Sequence, residues 1–360
     1  MPAVVVNART VDPIIAFAFD EPTGRAPMAN PSGVLDGPAS HPLDLTTPGE
    51  RELLARALPV PRVSGIDPRT LFNEFVLARK PVVITNAIDD WPAMARWTLD
   101  HFTAVGDAIH VQLRGASHGY YRYLGTVTVA DYARWLGGQH ELLLGEYDRN
   151  HVAKPFIAYA QEGPVFDVLR RDYDFGRFTI PEHPDTVHAY WLGPEGAITP
   201  LHRDLGYTLN ATIFGRKRWL LFPHTDERNV YPAAIHEHEG RFSRIEIEAP
   251  DIERYPRLRN ATPYTVIAER GDIVVIPEGW WHHVKCMEVS ASLSCTPCRG
   301  DVTMMPSRTR LGELTAYGYE YVKHWAHRRL GYRKNSCTCC FRVELGEQLG
   351  WTRGRPERSR

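Results

Sequence analysis

Hydrophobic residues recur at two periods along this chain, and the change of period divides it into regions. Between Val187 and Cys298 short apolar runs dominate, among them Tyr190-Trp191-Leu192, Trp219-Leu220-Leu221-Phe222 and Ile273-Val274-Val275-Ile276. Their bounding residues are turn formers: Gly193-Pro194, Gly215, Gly271-Asp272 and Pro277-Glu278-Gly279. Short runs between such punctuation predict strands. Upstream the spacing is helical. Asp67-Pro68 offers an N-cap with proline at the first helical position, and Leu71, Phe72, Phe75 and Val76 form one apolar face. Pro81 to Thr85 reads as a buried strand, and Val129 to Leu136 and Val165 to Arg171 read as helices. Far downstream, Leu311, Leu314, Gly318, Tyr321 and Trp325 draw a stripe at three-four spacing, predicting a helix from Thr309 to Leu330.

The termini differ from this middle. Residues 1–60 are rich in proline, glycine and small side chains, above all from Glu21 to Glu50, and read as a loosely ordered arm or a loop wrapping the surface. Trp351 to Arg360 is a basic, polar tail. The expected organisation is therefore an arm (1–60), a strand-dominated domain with flanking helices (61–300), and a helical segment ending in the tail (301–360).

Composition narrows the class. A chain of 360 residues, 43% hydrophobic, can bury a sizeable core. With 42 basic against 43 acidic residues, no overall field draws it to nucleic acid or to an anionic membrane. No apolar run approaches the roughly 20 residues that span a bilayer, and Met1 to Asn7 lacks the order of a secretory signal. A soluble, cytoplasmic protein is expected. Cys295-Thr296-Pro297-Cys298 and Cys337-Thr338-Cys339-Cys340 admit a structural zinc site, but the close spacing chelates poorly, and reduced thiols are the simpler reading. His236-Glu237-His238-Glu239 reads as a solvated loop rather than a second metal site.

The candidate chemistry lies in two places. In an extended strand, residues two apart share a side, so in His202-Arg203-Asp204 the histidine and the carboxylate point one way and Arg203 the other. A third ligand would come from a neighbouring strand, and Trp280-Trp281-His282-His283-Val284 offers two histidines, of which alternation lets only one face inward. Two histidines and a carboxylate on one side of an iron(II) ion leave the opposite positions open, an arrangement typical of non-haem oxygenases. Alone, His-x-Asp is a weak signal, as common on a surface as in a site. Its surroundings add to it: Tyr190 to Leu201 runs directly into His202, Phe214 to Pro223 follows, and Gly271 to Gly279 leads to the second cluster.

This ordered series resembles the JmjC and cupin-like Fe(II)/2-oxoglutarate oxygenases, within them the branch holding the asparaginyl hydroxylase that inhibits hypoxia-inducible factor. The likeness runs from about Pro61 to Cys298 and includes Arg79 to Asn86, Trp91-Pro92-Ala93 and the insert Pro250 to Pro256. It implies a mainly β fold with flanking helices: a double-stranded β-helix of jelly-roll type, with N-terminal α/β elements and a C-terminal helical segment. It implies iron bound by His202, Asp204 and His282, with His283 the rival third ligand. The same resemblance gives Lys217, fifteen residues past His202, as the anchor for the far carboxylate of 2-oxoglutarate, with Thr199 as a second donor and Tyr159 as a third. Thr208 and Ser294 fall at co-substrate-pocket positions where many relatives carry asparagine, or asparagine or serine, which leaves the pose of 2-oxoglutarate open.

The implied cofactors are Fe(II), 2-oxoglutarate and O₂. The implied reaction is hydroxylation of a C–H bond on a protein or peptide side chain, with release of succinate and CO₂. A small-molecule hydroxylase, a lysine demethylase and a cupin-type binding protein without catalysis are the alternatives, and Trp191, Trp219, Trp280 and Trp281 are barrel wall or substrate groove. The branch also dimerises through C-terminal helices, so the 309–330 stripe is either a dimer seam or packing on the chain's own barrel.

Overall fold

The computed structural model describes residues 34–35, 47–117, 120–139, 142–143, 159–161, 169–180, 186–204, 206–233 and 242–297. The expected C-terminal helix, the basic tail, the His236–Glu239 segment, and the cysteines from Cys298 onward fall outside these residues.

Among the described residues, strands run in chain order as β1 (Val34–Leu35), β2 (Leu58–Pro59), β3 (Arg62–Val63), β4 (Val82–Ile84), β5 (His110–Ser117), β6 (Tyr120–Thr128), β7 (Leu142–Leu143), β8 (Tyr159–Gln161), β9 (Thr186–Gly193), β10 (Ile198–Arg203), β11 (Thr208–Phe214), β12 (Lys217–Phe222), β13 (Tyr264–Ala268), β14 (Ile273–Ile276), β15 (Trp281–Cys286) and β16 (Ser290–Pro297). Apart from the small β1–β7 pair they form two sheets. The larger has the order β3-β4-β14-β11-β16-β9-β8-β5-β6, the smaller β10-β15-β12-β13-β2. From β9 onward the chain passes back and forth between them, with only β12 and β13 consecutive in one sheet, placing β9, β11, β14 and β16 in the larger and β10, β12, β13 and β15 in the smaller. That is the jelly-roll β-sandwich expected from the sequence.

The alternation of side chains gives each sheet an inner and an outer face. On the large sheet, Tyr190, Leu192, Leu209, Ala211, Leu293 and Cys295 face outward into the largest apolar cluster, shared with Leu71, Trp97, Phe102 and Tyr132 of the helical layer. That layer comprises α2 (Pro68–Leu71, continuing as a wider turn through Leu77), α3 (Pro92–Arg96), α4 (Leu99–Val105) and α5 (Val129–Leu136). Each begins where a cap or a proline favours it. Asp67 accepts the amides of Arg69 and Thr70, and Thr128 that of Asp131. Between the sheets, Val83, Val274 and Ile276 meet Trp219, Leu221 and Val284, which closes the sandwich.

One segment departs from the sequence reading. Residues 48–55, assigned above to a loosely ordered arm, form helix α1 (Pro48–Ala55). The cause is local and was visible in Thr47-Pro48-Gly49-Glu50: the Thr47 hydroxyl accepts the Glu50 amide while the Glu50 carboxylate accepts the Thr47 amide, a capping box. Leu53 then buries against Leu220, Phe222 and Trp281 on the outer face of the small sheet. Residues 165–168 of the helix expected at 165–171 lie outside the described residues; Leu169 is helical, and a tighter turn follows at Arg170–Asp172, held by Asp172, which accepts from Arg96 and Trp97. Among the described residues no helix is long and apolar enough to cross a membrane.

Candidate metal centre

β10 and β15 lie side by side, and their register sets His202 opposite His282. Strand alternation turns both rings into the sandwich, with centroids 4.1 Å apart. Asp204 follows one residue beyond β10. Its Oδ1 is 3.9 Å from His202 Nε2 and its Oδ2 is 3.8 Å from His282 Nε2. One ligand atom from each of the three residues lies within 4.8 Å of the others.

The other ring nitrogens are committed. His202 Nδ1 is 2.8 Å from the Pro200 carbonyl and His282 Nδ1 is 3.3 Å from the Trp280 carbonyl. A carbonyl only accepts, so each Nδ1 carries its proton and donates, which leaves the Nε2 lone pairs pointing at Asp204. Burial lowers the pKa of His282, opposed in part by Asp204, and this favours the neutral imidazole that a metal requires. Phe242 stacks on the His202 ring at 5.5 Å and Trp219 lies beside His282. These three donors suit a divalent transition metal with open positions.

His283 turns to the outer face, where its Nε2 donates to Glu248 Oε1 at 2.6 Å. It does not reach the centre.

Lys217 opens β12 on the same inner face as Trp219. It is 1% exposed, and its ammonium donates to Ser292 Oγ at 2.7 Å. In the strand register Lys217 pairs with Cys286, four residues along β15 from His282, which sets Lys217 about 13 Å from the ligand end of that strand at roughly 3.3 Å per residue. Burial draws its pKa down to about 8, while Cys286 acts the other way. Thr199 is buried on β10 opposite Val284, just before an irregularity in the β10–β15 pairing. Ser294 is buried on β16 and its hydroxyl accepts from Trp191 Nε1 and Asn210 Nδ2, each at 2.8 Å. Thr208 donates to Asp204 Oδ2 at 2.7 Å and so touches a member of the candidate cluster directly. Tyr159 stands on β8 opposite Arg114, and its side chain lies outside the described residues.

Four further interior residues were not singled out in the sequence: Asn210, Thr212, Ser290 and Ser292. The signal was a polar residue at every second position: Thr208, Asn210 and Thr212 on β11, and Ser290, Ser292, Ser294 and Thr296 on β16. The apolar partners of that alternation face the helical layer. Thr212 Oγ1 and Trp219 Nε1 are buried donors, and Asn210 Oδ1 a buried acceptor, without a hydrogen-bond partner. Orphaned polar atoms in a buried interior are costly unless a polar ligand completes them, and the hydroxyl and indole N–H donors, together with the Lys217 ammonium, fit a small dicarboxylate. Trp280 and Trp281 are structural: Trp280 donates to the Arg79 carbonyl, and Trp281 fills the outer core.

The sequence of residues 68–298 matches the cupin-like domain. The chain belongs to the cupin-like domain family. This cupin-like chain is 29% identical over 225 residues to the HSPB1-associated protein 1 homolog of Danio rerio, covering 58% of the chain and 50% of that protein. It is 25% identical over 234 residues to Lysine-specific demethylase 8 of Xenopus tropicalis, covering 62% and 49%. It is 28% identical over 254 residues to Lysine-specific demethylase JMJ30 of Arabidopsis thaliana, covering 67% and 56%. The chain thus spans about half the length of the relatives it matches.

Proposed function

We propose that this chain is an Fe(II)/2-oxoglutarate-dependent oxygenase that oxidises an unactivated C–H bond on a protein or peptide side chain. The observation carrying this reading is the interior His202–Asp204–His282 cluster sharing one sandwich with the buried ammonium of Lys217. An iron(II) ion with O₂ and 2-oxoglutarate supplies the oxidising power, releasing succinate and CO₂.

The chain's own residues divide the remaining work. His202, Asp204 and His282 would hold the metal, as three protein donors that do not exhaust its coordination. Their Nδ1–carbonyl bonds fix both rings before any metal arrives. Lys217, with Ser292 beside it and Thr199 on β10 across the intervening β15, would meet the far carboxylate of the co-substrate by a charge-assisted hydrogen bond. Phe242 and Trp219 wall off the imidazoles from water.

The test is succinate formation from 2-oxoglutarate with iron(II) and ascorbate, followed by mass spectrometry of peptides incubated with the protein. Asp204→Ala should abolish turnover. Wild-type rates in that variant would remove the metal assignment. The relatives named lysine-specific demethylases favour a second reading, oxidation of an N-methyl group on lysine. A 16 Da gain on an unmethylated peptide supports side-chain hydroxylation, and a 14 Da loss from a methyl-lysine peptide supports the second reading.

A further inference from the structure

We infer that Thr208, backed by Thr296, is a positioning residue that fixes Asp204 as a ligand through one oxygen only. This rests on the metal-centre reading above. Thr208 opens β11, four residues after Asp204, and is buried with its hydroxyl 2.7 Å from Asp204 Oδ2. An ionised carboxylate has no proton to give, so the threonine donates. That uses the only hydrogen on its hydroxyl. The Thr296 hydroxyl, 3.2 Å from Thr208 Oγ1, must therefore be the donor in their contact.

The direction of the chain is then set: Thr296 to Thr208 to Asp204. Such relays polarise one another and strengthen. The register explains why they meet. Leu209 pairs with Cys295, so the preceding and following residues, Thr208 and Thr296, stand opposite each other on the inner face. A strand of the large sheet thus governs a ligand that follows a strand of the small one.

The consequence concerns coordination number. With Oδ2 occupied by a hydroxyl, Oδ1 on the His202 side is the ligand atom. A carboxylate released from that bond would be able to ligate through both oxygens and close a position that a facial set keeps open. If Thr208 were merely a β-branched residue suited to a strand, valine of nearly the same shape would serve equally well.

The experiment uses the full chain stripped of metal by a chelator and then titrated with Mn(II), free ion being read by electron paramagnetic resonance. Co(II) absorption bands serve as the coordination signature. Thr208→Val should weaken Mn(II) binding by about 10- to 100-fold, the usual effect of losing a partner of a ligand, and change the Co(II) bands. Thr208→Ser, which keeps the hydroxyl, should restore both, and Thr296→Val should weaken binding to a smaller degree. A Thr208→Val protein that binds Mn(II) like the wild type with unaltered Co(II) bands overturns the inference. Should that variant fail to fold, Thr296→Val carries the test, and unchanged binding there overturns it equally. If the wild-type chain takes up no Mn(II), the metal-centre reading falls first. Intact wild-type binding with indifferent variants sinks the positioning role alone.

Discussion

At Lys217 a single ammonium group sits on the interior face of β12, hydrogen-bonded to Ser292, and burial holds its pKa at about 8 against an ordinary 10.5. Two outcomes follow, of opposite sense. Binding of 2-oxoglutarate, which needs the charged form, should weaken as pH rises through about 8; a binding constant measured by calorimetry across that range checks this. The stability of the ligand-free protein should instead rise between pH 8 and 10.5. The unfolded chain keeps the lysine proton there and the folded one has released it, so alkali favours folding. Lys217→Met should remove both pH effects while leaving Mn(II) affinity within about 2-fold, because Lys217 does not touch the ligands.

At the scale of elements, helix α1 is pinned by charge as well as by Leu53. Its Glu50 carboxylate is 1% exposed and accepts from Arg218 on β12 and from Lys285 on β15. Both basic residues stand on the outer face of strands whose inner face carries Lys217 and His282. Glu50→Ala should destabilise the fold by about 3–5 kcal/mol, the cost of stripping one partner from a buried pair, read by denaturant unfolding. Replacing Glu50, Arg218 and Lys285 together with apolar residues should recover much of that loss.

This network was illegible in the sequence because 168 and 235 residues separate Glu50 from its partners, and no spacing rule reports contacts at that range. Helix α5, by contrast, coincides with the expected Val129–Leu136 because its Thr128 cap and its apolar face are both local. The ligand pattern was readable for the same reason: a period of two along β10 and one histidine pair on β15. What lay hidden was the polar face of β11 and β16, whose meaning depends on which sheet face looks inward. Gly215 shows the same limit. It turns between β11 and β12 at φ +72°, and a Cβ there would meet the Val289 carbonyl at 2.3 Å. Gly215→Ala should therefore lower Tm and loosen the entry to β12, although the sequence shows only a glycine in a turn.

For the molecule as a whole, His202 and His282 of the candidate metal centre are neighbours in the β10–β15 register yet stand 80 positions apart in the chain. A metal bound at their junction joins distant parts of the fold, so loading should stabilise the folded state by about 2.7 kcal/mol at one hundred times its Kd. Melting with and without Mn(II), before and after chelation, checks this, and an unchanged Tm would count against a preformed site. The long connection from Phe222 to Tyr264 leaves and rejoins the small sheet at adjacent strands, where Leu221 pairs with Tyr264. Its midpoint is not idle, because Phe242 lies flat against His202. Sequence grafted into this excursion would change closure entropy only logarithmically with length, yet any tug on Phe242 would be transmitted to the imidazole beneath it. The connection and the imidazole are thereby coupled: a displacement of Phe242 changes what the His202 ring packs against.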